Sequence, residues 1–102
     1  MISYRQGDVL IVKVDNIPSN LKPVEPDEGR NILAYGEVTG HAHALSVKDC
    51  ELKETEAGAR YLSVPVSASL VHEEHSTIVL PAGDYRIIQQ VEYQGTFQPV
   101  VD

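Results

Sequence analysis

The sequence predicts an all-β fold: a small single-domain β-barrel or sandwich of about seven to eight short strands, with little helix. Runs rich in Val, Ile, Leu and Tyr alternate with Gly, Pro, Asp and Asn, which is the pattern of strands separated by turns. The 102 residues are the length of one domain, and the 42% hydrophobic content is typical of a globular one. No repeat or low-complexity tract divides the chain, so residues 1–102 are expected to form one β domain.

The first half of the chain contains two predicted extended segments around a long loop. Asp8–Val14 (DVLIVKV) is the predicted first strand. Residues Asn16–Gly29 hold three of the six prolines, which predicts an irregular loop that serves as a lid, as an interface arm or only as a mobile connection. Asn31–Lys48 is predicted to be mostly extended.

The second half is predicted to consist of hairpins. Glu51–Val66 has the pattern of a hairpin with Glu56–Gly58 at its tip. Thr77–Tyr93 is predicted to form two strands joined at Pro81–Asp84. Helix is not expected, and a short turn near residues 72–76 is the best candidate for a helical piece. Alternation predicts that one strand face carries Tyr85, Ile87, Gln89, Val91 and Tyr93.

Charge and cysteine content exclude several classes of function. The formal net charge is −7, and the basic residues are scattered, so we expect no binding to nucleic acid or to anionic membranes. No apolar run approaches the roughly 20 residues of a membrane helix, and the first residues lack the pattern of a signal peptide. Cys50 is the only cysteine and has no partner for an internal disulfide. We therefore expect a cytoplasmic protein.

The four histidines fall into two close pairs, His41 with His43 and His72 with His75. Residues two apart in a strand point to the same face, so His41 and His43 can reach one ion together. In one continuous strand the same face would carry Leu33, Tyr35, Glu37, Thr39, Leu45 and Val47. The opposite face would carry the mostly small residues Ala34, Gly36, Val38, Gly40, Ala42 and Ala44, which would let another sheet or a second copy of the chain approach.

The length of this segment leaves an alternative open. An uninterrupted strand over residues 33–47 would be unusually long, so Thr39-Gly40 can instead be a hairpin tip. A bend at Gly36 or Gly40 keeps His41 and His43 on one face, but the position of Glu37 then depends on the bend.

The second pair lies in the segment His72-Glu73-Glu74-His75. Residues three apart face opposite ways in a flat strand but converge in a tight or helical turn, where either histidine can join the first pair. Glu73 and Glu74 add candidate carboxylates for coordination, for support of a ligand or for acid–base chemistry. The predicted metal ligands are His41, His43, His72, His75, Glu37 and Glu74.

Imidazoles combined with a carboxylate suit a divalent transition metal, with Zn, Fe, Mn, Ni and Cu all compatible. The absence of partner cysteines argues against a thiolate zinc finger, and Cys50 is expected to be a small buried hydrophobe. Metal-free histidines that sense pH or make hydrogen bonds are the alternative explanation.

Two resemblances rest on these blocks. GEVTGHAHAL followed by HEEHSTIVLPAGDYRIIQQVEY resembles a group of small uncharacterised bacterial and phage proteins, which implies no known activity. His41, His43 and Pro81-Ala82-Gly83 also partly resemble the two motifs of cupins. The glutamate that follows the pair in cupins is absent, and so is the histidine after Pro-x-Gly. A cupin-like barrel would therefore need His72, His75 or Glu37 as its third ligand.

The sequence leaves three functions open. The first is a metal-binding β-barrel that acts as a metal-dependent enzyme or sensor. The second is a structural or assembly module, including a homo-oligomer, in which the metal only stabilises the fold. The third is a metal-free protein that binds a ligand or senses pH through its histidines.

Overall fold

The computed structural model describes residues 2–36 and 40–90. This part of the chain contains eight strands and no helix. In chain order the strands are β1 (Ser3–Gln6), β2 (Val9–Val14), β3 (Lys22–Pro23), β4 (Arg30–Tyr35), β5 (Ala42–Ser46), β6 (Glu51–Glu54), β7 (Arg60–His72) and β8 (His75–Gln89). The all-β class and the number of strands are confirmed, although β7 and β8, with 13 and 15 residues, are longer than the short strands predicted.

All strand pairings are antiparallel, and the main path through the sheet is β1-β2-β8-β7-β5-β4. Strand β6 pairs with the first part of β7 and with β3, while β5 pairs with β7 only near its end, at Val71. In the described part of the chain this path does not close on itself, so the sheet is open. No helix within residues 2–36 and 40–90 has the length and apolar character needed to cross a membrane.

The main core lies between the long β7–β8 hairpin and the strands on either side of it. Its fully buried large side chains are Tyr85, Ile11, Leu33, Leu45, Leu62, Leu70, Leu80 and Val9. The Tyr85 hydroxyl donates a hydrogen bond to the Pro81 carbonyl at 2.6 Å, so its one polar group is satisfied. A smaller cluster of Ile32, Ala42 and Ala44 covers the other face of β4 and β5.

Three of the predicted segments are close to those observed. The predicted strand Asp8–Val14 corresponds to β2, but β1 was not predicted. The predicted hairpin over Glu51–Val66 is confirmed by the pairing of β6 with β7. Residues Asn16–Gly29 are mostly irregular, as predicted, apart from the two-residue strand β3.

The predicted break at Pro81–Asp84 is wrong, because β8 runs without interruption from His75 to Gln89. Strand β2 pairs with β8 only from Asp84 onward. Pro81 is paired with Ser67 of β7 but has no partner on the β2 side, and a proline is tolerated in a strand at such an edge position. Tyr85 and Ile87 are buried on one face as predicted, Gln89 is exposed, and Val91 and Tyr93 lie outside the described residues.

Strands β4 and β5 pair antiparallel with each other, in agreement with the hairpin alternative, and residues 37–39 between them lie outside the described residues. Leu33 is an extra residue in β4, a β-bulge that shifts the register. The pairing beyond the bulge sets Ala34 opposite His43 and Tyr35 opposite Ala42. Paired residues share a face, so the prediction that Tyr35 lies beside the histidines, with Ala34 and Gly36 behind them, is wrong.

Candidate metal centre

The histidines lie where the ends of three hairpins meet. The β1–β2 hairpin contributes its two-residue turn, Gly7-Asp8, and the β7–β8 hairpin contributes the turn Glu73-Glu74. The β4–β5 hairpin contributes its end, where the Gly36 N–H donates to the His41 carbonyl at 2.8 Å. These residues are distant in sequence, so only the sheet topology brings them together.

Strand pairing explains why the two histidine pairs face each other. His72 and His75 are cross-strand partners that flank the turn of the β7–β8 hairpin, and such partners point to the same face. The segment is therefore a tight turn, one of the alternatives that the sequence left open, and not a helical one, and the two side chains converge across it. Ala44 pairs with Val71, so His43 lies next to His72 on the adjoining strand.

All four imidazole rings form one continuous cluster. The ring centroids of His43 and His72 are 4.3 Å apart, and those of His72 and His75 are 4.7 Å apart. Separations of 5.7 Å join His41 to His72 and His43 to His75. The structure thus brings both pairs to a single place, which alternation along the strands alone did not establish.

His43 is the buried member of the cluster, with 3% of its surface exposed. Its Nδ1 lies 2.8 Å from the side-chain oxygen of Gln6, while its Nε2 lies 3.5 Å from Oδ1 of Asp8. Burial, and then the charge of the neighbouring His72, lowers the pKa of His43, and Asp8 offsets part of this effect. The ring is therefore neutral at neutral pH, which is the form that binds a metal.

The carboxylates of the β7–β8 turn lie over the exposed side of the cluster. Oε1 of Glu73 accepts a hydrogen bond from the Ala42 N–H at 2.9 Å, and this bond lowers the pKa of Glu73. Oε2 of Glu74 lies 3.7 Å from Nδ1 of His41. Glu73 is thereby tied to β5, whereas Glu74 makes a looser, solvent-exposed contact.

Three of these side chains have the arrangement of a metal site. One ligand atom each from His41, His72 and Glu73 lies within 4.8 Å of the other two. Nδ1 of His72 accepts a hydrogen bond from the Glu74 N–H at 3.0 Å, which occupies the lone pair of this atom, so a metal ion bound at Nδ1 would have to displace that bond. Small rotations of the side chains would bring such a set to the roughly 2.0–2.2 Å of metal–ligand bonds.

Small residues make room for the rings. Gly36 lies opposite His41, and a Cβ at Gly36 would sit 3.0 Å from the Cβ of His41 and 3.3 Å from Nε2 of His72. Gly7 has a φ of +60°, and a Cβ there would sit 2.8 Å from Nε2 of His75. Both glycines are therefore part of the shape of the cluster.

Predicted and observed site residues differ in several places. His41, His43, His72 and His75 are brought together, and Glu74 contacts His41. Glu37 lies outside the described residues. Cys50 is not part of the cluster; it is buried beside Asn31, and burial raises the pKa of its thiol.

The contribution of the β1–β2 hairpin to the histidine cluster was not predicted from the sequence. Gln6 supplies a partner for Nδ1 of His43, and Asp8 places a carboxylate near Nε2 of the same ring. Gly7 lets the chain approach His75 closely. The segment Arg5-Gln6-Gly7-Asp8-Val9 has a turn-forming Gly-Asp between two extended runs, which was the available signal for this hairpin.

Comparison with known proteins assigns the chain to a family without a known activity. Residues 5–90 match the family described as Domain of unknown function (DUF8820). The chain belongs to this family. The match agrees with the expected uncharacterised protein, whereas the resemblance to cupins is not confirmed. No curated protein and no solved structure significantly matches this DUF8820 protein.

Proposed function

We propose that this domain binds a divalent transition-metal ion through His41, His72 and Glu73. The observation that supports this function is the mutual approach of their three ligand atoms to within 4.8 Å. His41 precedes β5, whereas His72 and Glu73 belong to the end of the β7–β8 hairpin, so the set is assembled from two parts of the sheet. Two imidazoles and a carboxylate suit Zn, Fe, Mn, Ni or Cu.

An accessible metal favours a catalytic or sensing role over a closed structural one. Three protein ligands leave coordination positions for water or a small substrate. Glu73, Glu74 and His75 are exposed, so the outer side of the cluster faces solvent. The proposed function is thus that of a metal-dependent enzyme or sensor of bacterial or phage origin, located in the cytoplasm.

A stabilising role is the second candidate, because the ligands come from different hairpins. An ion at this position would tie the start of β5 to the β7–β8 turn and stabilise the fold, or a homo-oligomer, through its binding energy. A stabilising ion would have four protein ligands and exchange slowly, whereas a catalytic ion would bind added small anions. In the metal-free alternative the histidines sense pH.

Equilibrium dialysis of the untagged protein against Zn²⁺ and Co²⁺, followed by elemental analysis, tests the proposal. The matched variants are Glu73→Gln and Glu56→Gln. The amide introduced by Glu73→Gln can still accept the hydrogen bond from the Ala42 N–H but carries no charge, whereas Glu56 is exposed at the tip of the β6–β7 hairpin. We expect Glu73→Gln to weaken binding by about tenfold or more and Glu56→Gln to leave it unchanged.

The His41→Ala variant tests the imidazole contribution in the same assay. It should weaken binding at least as much as Glu73→Gln, because it removes a whole ligand. Among the described residues, the ring of His41 makes no hydrogen bond that this variant would also remove. Wild-type protein that retains no metal, or a Glu73→Gln variant that binds as tightly as Glu56→Gln, would refute this ligand set.

A further inference from the structure

The side chain of Gln6 determines which nitrogen of His43 carries the proton. Nε2 of Gln6 donates hydrogen bonds to the carbonyls of Leu70, at 3.0 Å, and Ser76, at 2.9 Å. Carbonyl oxygens only accept, so the amide cannot be flipped, and its Oε1 must face His43. That oxygen is itself an acceptor, 2.8 Å from Nδ1 of His43. Nδ1 of His43 therefore carries a hydrogen.

Neutral His43 then presents an unprotonated Nε2 to a carboxylate. Nε2 is 3.5 Å from Oδ1 of Asp8, and in the neutral ring both atoms are acceptors with no hydrogen between them. Two facing acceptors repel each other unless a donor or a cation lies between them. A proton on His43, a water molecule that donates to both atoms or a metal ion would remove the repulsion, and only the metal ion bonds to both lone pairs.

The surroundings favour a metal ion over a proton. An imidazolium at His43 would be almost completely buried, and its ring contacts the imidazoles of His72 and His75. Burying a charge beside further imidazoles costs free energy that a single partly exposed carboxylate offsets only in part. A metal ion instead uses the lone pairs of neutral imidazoles as bonds.

A third donor lies at the rim of the same space. The rings of His43 and His75 stack, with an interplanar angle of 21° and centroids 5.7 Å apart. A Cβ at Gly7 would sit 2.8 Å from Nε2 of His75 and 3.2 Å from Cε1 of His43, so the missing side chain leaves that space open. His75 is exposed, and its ring would have to turn to bring a nitrogen to an ion shared with His43 and Asp8.

We propose that His43, Asp8 and His75 form a second subsite for a divalent transition-metal ion, distinct from the site at His41, His72 and Glu73. Asp8 belongs to the β1–β2 turn and Glu73 to the β7–β8 turn, so each subsite has a carboxylate from its own hairpin. Nitrogen donors with one carboxylate give the second subsite the same class of preferred metal as the first.

The test compares Asp8→Asn with Asp15→Asn. Asp15 is exposed just beyond the far end of β2, roughly 20 Å away from Asp8 at the rise of an extended strand. The amide introduced by Asp8→Asn keeps an oxygen for the hydrogen bond that Asp8 accepts from Gln89, and its NH₂ group can donate to Nε2 of His43. Each variant is titrated with Co²⁺ and Zn²⁺, and its melting temperature is measured in chelator.

We expect wild type and Asp15→Asn to bind about two ions per chain and Asp8→Asn to bind about one. Adding His41→Ala to Asp8→Asn should remove the remaining ion. In chelator, Asp8→Asn should melt no lower than wild type, because a donor–acceptor pair replaces two facing acceptors. This second measurement does not depend on the presence of a metal.

Three outcomes would overturn the second subsite. One ion per chain that is unaffected by Asp8→Asn leaves only the site of the proposed function. One ion that is lost equally in Asp8→Asn and His41→Ala means a single shared site. Lower stability of Asp8→Asn in chelator at neutral pH means that a proton on His43 forms the bridge. Binding of no metal refutes both the second subsite and the proposed function.

Discussion

The side-chain oxygen Oε1 of Gln6 lies 2.8 Å from Nδ1 of His43, although the two residues are 37 positions apart in the chain. Gln6 is 2% exposed, so its three hydrogen bonds are shielded from water. Histidine ligands in metal sites commonly donate their second N–H to such an acceptor, which fixes the tautomer and the orientation of the ring. The β1–β2 hairpin therefore positions a ring that belongs to β5.

Replacing Gln6 by Glu should destabilise the protein by at least about 2 kcal/mol. The shape is almost unchanged, but a carboxylate cannot donate to the carbonyls of Leu70 and Ser76, and it would be buried. Gln90→Glu is the control, because Gln90 already accepts from Arg5 and should change by less than about 0.5 kcal/mol. Urea denaturation measures both; equal effects would mean that Gln6 has no special structural role.

Gly7→Ala should cost more than Gly29→Ala. Both glycines have a positive φ, of +60° and +78°, so both variants incur a backbone penalty of about 1 kcal/mol. A Cβ at Gly29 meets nothing within 4 Å, whereas a Cβ at Gly7 would sit 2.8 Å from Nε2 of His75. Thermal melts and Co²⁺ titration should show that only Gly7→Ala also weakens metal binding. Unchanged metal affinity in Gly7→Ala would contradict a role of this glycine in the cluster.

Stability of the metal-free protein should fall with acid because of His43. The pKa of His43 in the folded protein is lowered from its usual 6.5, mainly by burial, so the unfolded chain binds more protons as the pH falls. The contribution of His43 is complete above about pH 6.5 and is lost as the pH falls toward the lowered pKa. The free energy of unfolding, measured in chelator across this range, should have a smaller pH slope in His43→Gln. An identical slope would exclude His43 as its source.

Added metal should raise the melting temperature with the logarithm of its free concentration. At about 100 times the dissociation constant the stabilisation is about 2.7 kcal/mol. The effect should weaken below about pH 6, because protonated imidazole cannot coordinate a metal. The double variant His41→Ala/His43→Ala should lose the shift. A double variant that responds to Zn²⁺, Ni²⁺, Mn²⁺ and Fe²⁺ as strongly as wild type would show that these histidines do not bind the metal.

Arg60→Lys should be destabilising although it preserves the charge. The Arg60 guanidinium donates to the carbonyls of Ile32 and Leu33, so it binds the bulge residue of β4 and the residue before it. A lysine cannot reproduce this planar fork, and one carbonyl would lose its donor at a cost of about 1–3 kcal/mol. Arg86→Lys is the control, since the exposed Arg86 only lies over the Tyr61 ring. Equal stability of the two variants would contradict this role of Arg60.

The bulge that Arg60 binds also explains why the faces of β4 were misassigned. Alternation assigns faces correctly over residues 33–47 only if they form one continuous strand. Instead, the chain reverses between Gly36 and His41, and β4 contains an extra residue at Leu33. Because the side-chain period of a strand is two, each such irregularity moves the following residues to the other face. Ala34 and Gly36 thus lie opposite the histidines rather than behind them.

Local sequence patterns were sufficient to predict the all-β class, the hairpin over residues 51–66 and the pairing of the histidines by their spacing. These features depend on neighbours in the chain: alternation of apolar residues, turn residues and the direction of side chains in a strand. Local signals also misled at Pro81–Asp84, where proline and glycine indicated a turn. Only the register of β2 against β8 leaves that proline without a partner on the β2 side, within a continuous strand that pairs with β7.

The tertiary structure alone decided that the two histidine pairs meet and that Gln6, Gly7 and Asp8 join them. The hydrogen bonds of Gln6 to Leu70 and Ser76 span 64 and 70 residues, and no local pattern contains information at that separation. Those contacts follow from the order in which the strands pair, which places three hairpin ends at one point. The histidines were recognisable as candidate ligands from their chemistry, but their shared position results from the long-range pairing of β5, β7 and β8.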